Sequence, residues 1–160
     1  AEGGADVEVI MLTELKIEHC RQEGQDGWGK CLAEGRCSLE DGFAGLVEKV
    51  RQADLAVFAT PVYWGDLSES MRAFLDRLRR ICVNEDGRKG IKGKPAAGIC
   101  VAGGGGGGSP DCAVSMQRVL DHCGFDVLDV IPARRQNLDL KLKVLKETGR
   151  WLAARQSRTG

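Results

Sequence analysis

Two stretches of this chain combine residue types and spacings that can do chemistry, and a third gathers thiols. The first is Pro61-Val62-Tyr63-Trp64-Gly65, directly after the apolar run Leu55-Ala56-Val57-Phe58-Ala59. The second is the glycine run Gly103 to Gly108, just past Ala96-Ala97-Gly98-Ile99-Cys100-Val101. Two adjacent aromatic rings offer apolar surface. Consecutive glycines let main-chain N–H groups approach a ligand with no Cβ in the way. Loops of this kind at the carboxyl ends of parallel strands bound a slot that suits a flat, conjugated ligand such as a flavin. The third stretch holds Cys20, Cys31 and Cys37 in the pattern C-x10-C-x5-C.

The elements that must position these loops read as follows. Val7 to Leu12 has the composition of a strand. Residues 13–40 form a long polar excursion with no clear period, a length at which loops tend to be functional. Phe43, Leu46, Val47 and Val50 recur at helical spacing and predict a helix over 41–53. Residues 54–60 predict a strand whose near-continuous apolar character implies cover on both faces. A helix over 66–80 follows, opened by a capping-box pattern of Asp66 and Glu69. Asn84 to Lys94 is a charged connector and the segment best suited to be a mobile loop. A strand over 96–101 then leads through the glycine run into a helix capped by Ser109 with Pro110 in its first turn, ending at Gly124. A strand over 126–131 and a helix over 138–155 complete the chain. Strands alternating with helices imply a single α/β domain over residues 1–160 with a parallel sheet.

The charge balance narrows the function classes. With 23 basic and 23 acidic residues the formal charge is zero, which argues against a strong grip on nucleic acid or on an anionic membrane. No apolar run approaches the roughly 20 residues of a membrane-spanning helix. The seven cysteines are an odd number, which points to a reducing compartment such as the cytoplasm rather than to a disulfide scaffold. Cys82, Cys100 and Cys123 sit in or beside apolar patterns and read as small buried hydrophobes.

The run Thr60-Pro61-Val62-Tyr63-Trp64-Gly65, followed by Ser68, Met71, Phe74, Leu75, Asp76 and Arg77, resembles the NADPH-dependent FMN reductase family of flavodoxin-like proteins. So do Gly93-Lys94-Pro95-Ala96-Ala97 and the glycine run beyond them. The resemblance extends from about Ala5 to Leu152. It implies a three-layer, doubly wound parallel sheet in the order 2-1-3-4-5 with FMN at its carboxyl edge. Pro61, Val62, Tyr63 and Trp64 would then line the isoalloxazine ring, with Gly65 close by. Gly103, Gly104, Gly105 and Gly106 would approach it through main-chain donors. The resemblance further implies hydride transfer from NADPH or NADH to the flavin, and from there electron transfer to a small acceptor such as a quinone, a free flavin or a metal ion. No catalytic side chain is obligatory, because the flavin carries the chemistry. The alternative is a flavodoxin-like or iron–sulfur flavoprotein carrier that serves a protein partner. A homodimer or homotetramer is implied, with Trp64 and Trp28 as candidate contacts.

Two departures from that pattern set further expectations. The family opens with a strand, a phosphate loop and a helix, whereas here Ala1 to Asp6 resembles only the tail of that helix. The expectation is therefore a longer chain whose first strand and phosphate loop precede these residues. In addition, related iron–sulfur flavoproteins carry a compact four-cysteine motif where Cys20, Cys31 and Cys37 stand. A [4Fe–4S] cluster usually takes four thiolates. His19 could supply a fourth ligand, or zinc could use the set. The broken spacing disfavours a cluster, so redox-active thiols or a purely structural loop are the competing readings.

Overall fold

A computed structural model describes residues 4–156. Four strands make one sheet: β1 (Ala56–Tyr63), β2 (Asp66–Leu67), β3 (Pro95–Ala102) and β4 (Asp126–Arg134), in the order β2-β1-β3-β4. β1, β3 and β4 are parallel, while β2 folds back antiparallel on the end of β1. The helices are α1 (Gly29–Glu34), α2 (Phe43–Gln52), α3 (Glu69–Ile81), α4 (Glu85–Arg88), α5 (Ser109–Cys123) and α6 (Leu138–Gln156).

The core forms where the stripe Met71, Phe74, Leu75, Leu78 and Ile81 of α3 meets Phe43, Leu46 and Val47 of α2, Phe58 of β1, and Met116 and Leu120 of α5. Each of these large side chains contributes about 1.5–3 kcal/mol by leaving water. Phe43 and Phe74 pack with ring centroids 5.7 Å apart. Cys82, Cys100, Cys112 and Cys123 are fully buried. The neighbouring Cys82 sulfur and then burial push the Cys123 thiol up, and burial does the same to Cys100. All four behave as small core residues.

Several expectations change on contact with the structure. Val7 to Leu12 is not a strand: it runs without ladder partners into a 3₁₀ turn at Leu12–Glu14, and Val9 is 78% exposed. Strand composition cannot make a strand when no neighbouring edge takes up its N–H and C=O groups. Ala1–Gly3 of the expected helix tail lie outside the described residues, and residues 4–6 are not helical. β1 is not covered on both faces. Ala56, Phe58 and Thr60 are buried while Val57, Ala59 and Pro61 are exposed. A strand sends successive side chains to opposite faces, and at β1 the helical layer takes only one of them.

The start of α3 also shifts. Asp66 belongs to β2, and Ser68 is the N-cap, its Oγ accepting from Met71 N at 3.4 Å. Gly108, not Ser109, occupies the N-cap of α5, and Gly124 ends that helix at φ +94. The connector after α3 is folded rather than loose. It contains α4, buries Ile91, and is held by Arg51 Nη2 donating to Gly87 O at 2.9 Å and Asn84 Nδ2 donating to Leu32 O at 2.9 Å. Its charges conceal two packing residues, since a Cβ on Gly87 would lie 1.9 Å from Ile81 O.

Candidate functional site

β1 and β3 are adjacent and parallel, and their register pairs Pro61 with Val101. The aromatic loop and the glycine loop therefore leave the sheet side by side at its carboxyl edge. They touch: an added Cβ on Gly108, whose φ is +77, would lie 2.5 Å from Gly65 Cα and 3.0 Å from Gly65 N. No residue but glycine allows that approach. Pro61 to Gly65 and Gly103 to Gly106 thus belong to neighbouring loops that leave the same sheet edge and meet at Gly65 and Gly108.

Trp64 and Gly65 form the two-residue turn between the paired residues Tyr63 and Asp66, with φ +51 and +78. Turns of this hand ordinarily use Asn-Gly or Gly-Gly. Left-handed backbone costs a residue with a side chain about 1–2 kcal/mol. Trp64 bears that cost while its indole is fully exposed, so packing within the chain offsets none of it. Tyr63 beside it is half-exposed. Behind the turn, two buried hydroxyls tie the loop to α3. Thr60 Oγ1 lies 3.0 Å from Ser68 Oγ and accepts from Ser68 N at 3.2 Å. Burial works against ionisation of Asp66, but Leu67 N–H, donating at 2.8 Å, and the paired Arg72 outweigh it and hold the carboxyl below the usual range.

The glycine loop presents bare backbone. At Gly103, Gly104, Gly105 and Gly107 an added Cβ would meet nothing within 4 Å. Gly106 is different: a Cβ there would lie 2.4 Å from Gln136 Oε1 and 3.1 Å from Arg134 Cβ. Gln136 belongs to a 3₁₀ turn, Arg135–Asn137, which follows β4 at the same sheet edge. Its Nε2 donates to Gly105 O at 3.2 Å and Gly104 O at 3.5 Å. Sequence reasoning missed this third segment. The signal was present in the polar run Arg134-Arg135-Gln136-Asn137, at the carboxyl end of a parallel strand.

The cysteine excursion lies elsewhere. Its anchor is Arg77, which is 1% exposed and forms a fork on Asp41, donating at 2.6 and 3.0 Å. Arg77 also donates to Glu18 O at 3.0 Å and to Cys37 Sγ at 3.2 Å, and lies over the Phe43 ring at 4.2 Å. Burial opposes the Asp41 charge, yet Arg77 and the N–H groups of Glu18 and Phe43 hold its carboxyl below the usual range. Cys20, Cys31, Cys37, Trp28, Arg77 and Arg80 line a small, open pocket. Trp28 stacks under Arg80 at 4.4 Å.

A mostly parallel α/β sheet with two glycine-bearing loops meeting at its carboxyl edge has the layout of the doubly wound α/β folds, the flavodoxin-like fold among them. The chain belongs to the NADPH-dependent FMN reductase family, whose pattern matches residues 1–131. It is 32% identical over 145 residues to an iron–sulfur flavoprotein of Archaeoglobus fulgidus, covering 86% of this chain and 61% of that one. It is 33% identical over 85 residues to an NAD(P)H dehydrogenase (quinone) of Solidesulfovibrio magneticus, covering 53% and 40% respectively. The chain thus spans about half the length of these curated relatives. A solved structure of RosB with bound 8-demethyl-8-formylriboflavin-5'-phosphate superposes with a TM-score of 0.58 at 24% identity, covering 79% of this chain and 49% of that one. At that identity the match concerns the fold alone.

The donor sets discriminate between the two cofactors such relatives suggest. For FMN, the exposed Tyr63 and Trp64 rings and the open backbone of Gly103 to Gly105 supply the apolar surface and unobstructed amides a flavin ring needs, so the residues fit. For a four-thiolate cluster they do not. The loop offers three cysteines. Cys31 Sγ is bonded to Trp28 O, Cys37 Sγ accepts from Arg77, and Cys20 Sγ accepts from Gln22 N at 3.4 Å. Among the described residues no three His, Cys, Asp or Glu side chains come together to hold a metal. No described helix is long and apolar enough to cross a membrane.

Proposed function

We propose that the protein is an FMN-dependent NAD(P)H oxidoreductase. Electrons would pass from NADPH or NADH to a small acceptor, a quinone being the first candidate. The observation that carries this reading is the Gly65–Gly108 contact, which brings an aromatic turn and a bare glycine loop together at the sheet edge. When bound there, FMN supplies the electron-transfer chemistry. Pro61, Val62, Tyr63 and Trp64 cover one side of the ring and exclude water, with Gly65 close by, while Gly108 lets the two loops meet. Gly103, Gly104 and Gly105 present main-chain amides to its polar edge, where N–H donors favour the reduced, negatively charged ring, and Gly106 shapes that loop by donating its own N–H to Gly103 O at 2.8 Å. Thr60 and Ser68 fix the aromatic turn to α3. The fully exposed Trp64 supports a second copy as cover for the slot, which makes a homodimer the proposed assembly. Trp28, which stacks on Arg80, is the second candidate contact.

Purification with equimolar FMN, and NADPH or NADH oxidation with a quinone and no protein partner, are the expected results. Failure to take up FMN overturns the reading, and activity only in the presence of a protein partner favours the carrier alternative. The cysteine loop is proposed to be free of an iron–sulfur cluster. Anaerobic incubation with ferrous iron and sulfide is expected to leave less than one iron per chain, and about four irons per chain would refute this.

A further inference from the structure

We infer that Gln136 is a positioning residue for the flavin: it sets the orientation of the Gly104–Gly105 peptide and so aims the Gly105 N–H into the slot. This rests on the FMN reading above. Gln136 Nε2 donates to both carbonyls of consecutive glycines, at 3.5 Å to Gly104 and 3.2 Å to Gly105. The described peptide bonds include no cis bond. In a planar trans peptide the C=O and the following N–H point in opposite directions. Holding Gly104 O toward Gln136 therefore turns the Gly105 N–H away from the β4 side. The next amide is not available for the same task, since Gly106 N already donates to Gly103 O at 2.8 Å and closes the turn.

A run of glycines has almost no intrinsic preference between the two orientations of such a peptide. Something outside the run must choose, and Gln136 is the side chain that hydrogen-bonds its carbonyls. The position is tight as well as polar. At Gly106, with φ +76, an added Cβ would meet the side chains of Gln136 and Arg134, which would have to shift. The turn that carries Gln136 is closed by Arg134 N donating to Asn137 Oδ1 at 3.0 Å. A donor carried by a closed turn thus acts on an otherwise indifferent backbone.

The test compares wild type with Gln136→Glu, which keeps the shape but cannot donate, and with Gln136→Met, which keeps the length without polarity. Affinities for oxidised and for dithionite-reduced FMN are measured for each. Loss of one net hydrogen bond is about a three- to tenfold effect. It is expected to fall on the reduced form, so the ratio of reduced to oxidised affinity drops by that factor in both variants. A merely structural role would weaken both forms equally and leave the ratio unchanged, which overturns the inference. Unaltered affinities in both variants overturn it as well. If wild type itself takes up no FMN, the functional reading fails and this inference falls with it, an outcome distinct from the other two.

Discussion

The contact between Gly65 and Gly108 is the structural basis of the site, and Gly108→Ala tests it. A methyl group added at Gly108 would sit 2.5 Å from Gly65 Cα and 3.0 Å from Gly65 N, both backbone atoms that no rotamer change can move. The residue also holds φ +77. Left-handed backbone costs alanine about 1 kcal/mol. Forcing an extra methyl into a filled space costs about 1–3 kcal/mol. Together these give a loss of about 2–4 kcal/mol if the loops stay together, and less if they part. Gly107→Ala is the matched control, because a Cβ there meets nothing within 4 Å and φ is not positive. It should stay within about 0.5 kcal/mol of wild type. Urea unfolding followed by far-ultraviolet circular dichroism reads the difference. With a slope of about 2 kcal/mol per molar, the Gly108→Ala midpoint should fall by about 1–2 M. FMN titration reads the second consequence. Parted loops should bind the flavin at least about tenfold more weakly, since 1.4 kcal/mol of misplacement is already that factor. Equal midpoints for the two alanine variants would refute the close approach, and unchanged FMN affinity in Gly108→Ala would refute its part in the site.

What the sequence disclosed, and what it hid, divides along the range of the interactions involved. The central elements were legible because their signals are local. The stripe from Met71 to Ile81 marks α3, and unbroken apolar runs mark β1 and β3. Their parallel pairing followed from alternation with helices, and the pairing alone brings residues 61–65 beside residues 103–106. Capping was legible only in outline. Asp66 and Ser68 can both begin a helix, and the choice fell to Ser68 because Asp66 is engaged in the β2 hairpin with Tyr63. Val7 to Leu12 misled because strand composition states a preference, and a strand exists only with a neighbour. The one-sided burial of β1 was not legible, since the sequence of an apolar strand does not say how many layers cover it. Gln136 was missed for a related reason. A lone glutamine between an arginine and an asparagine has no periodic signature, and its meaning comes from the glycine loop 30 or so positions earlier in the chain, brought beside it by the β3–β4 pairing.

Three more outcomes test the remaining parts of the structure. Trp64→Gly removes a side chain that packs on nothing and relieves left-handed strain, so stability should rise by about 1 kcal/mol while FMN affinity falls about tenfold; a loss of stability on thermal melting would show that the indole is packed after all. Arg77→Met strips the partner from Asp41, whose side chain is only 3% exposed, and should cost about 3–5 kcal/mol in urea unfolding. Adding Asp41→Asn to that variant should recover part of the loss, and no recovery would mean that the charge left on Asp41 is not the cause. The same pair predicts a pH dependence of definite sign. The Asp41 carboxyl is held below its ordinary value in the folded protein, burial opposing the charge and Arg77 with two N–H groups outweighing it. A carboxyl depressed on folding contributes its stability fully above the unfolded value of about 4, and loses it as pH falls from there through the folded value. Urea midpoints should therefore be flat between pH 6 and about pH 5 on this account and drop steeply below about pH 4. In Asp41→Asn that drop should be shallower, because the neutral amide binds no proton on acidification. Asp66 remains depressed in both proteins and keeps some slope, so the informative quantity is the difference between the two curves. Superimposable slopes below pH 4 would mean that Arg77 and the two amides do not favour the charged form of Asp41 in the folded chain.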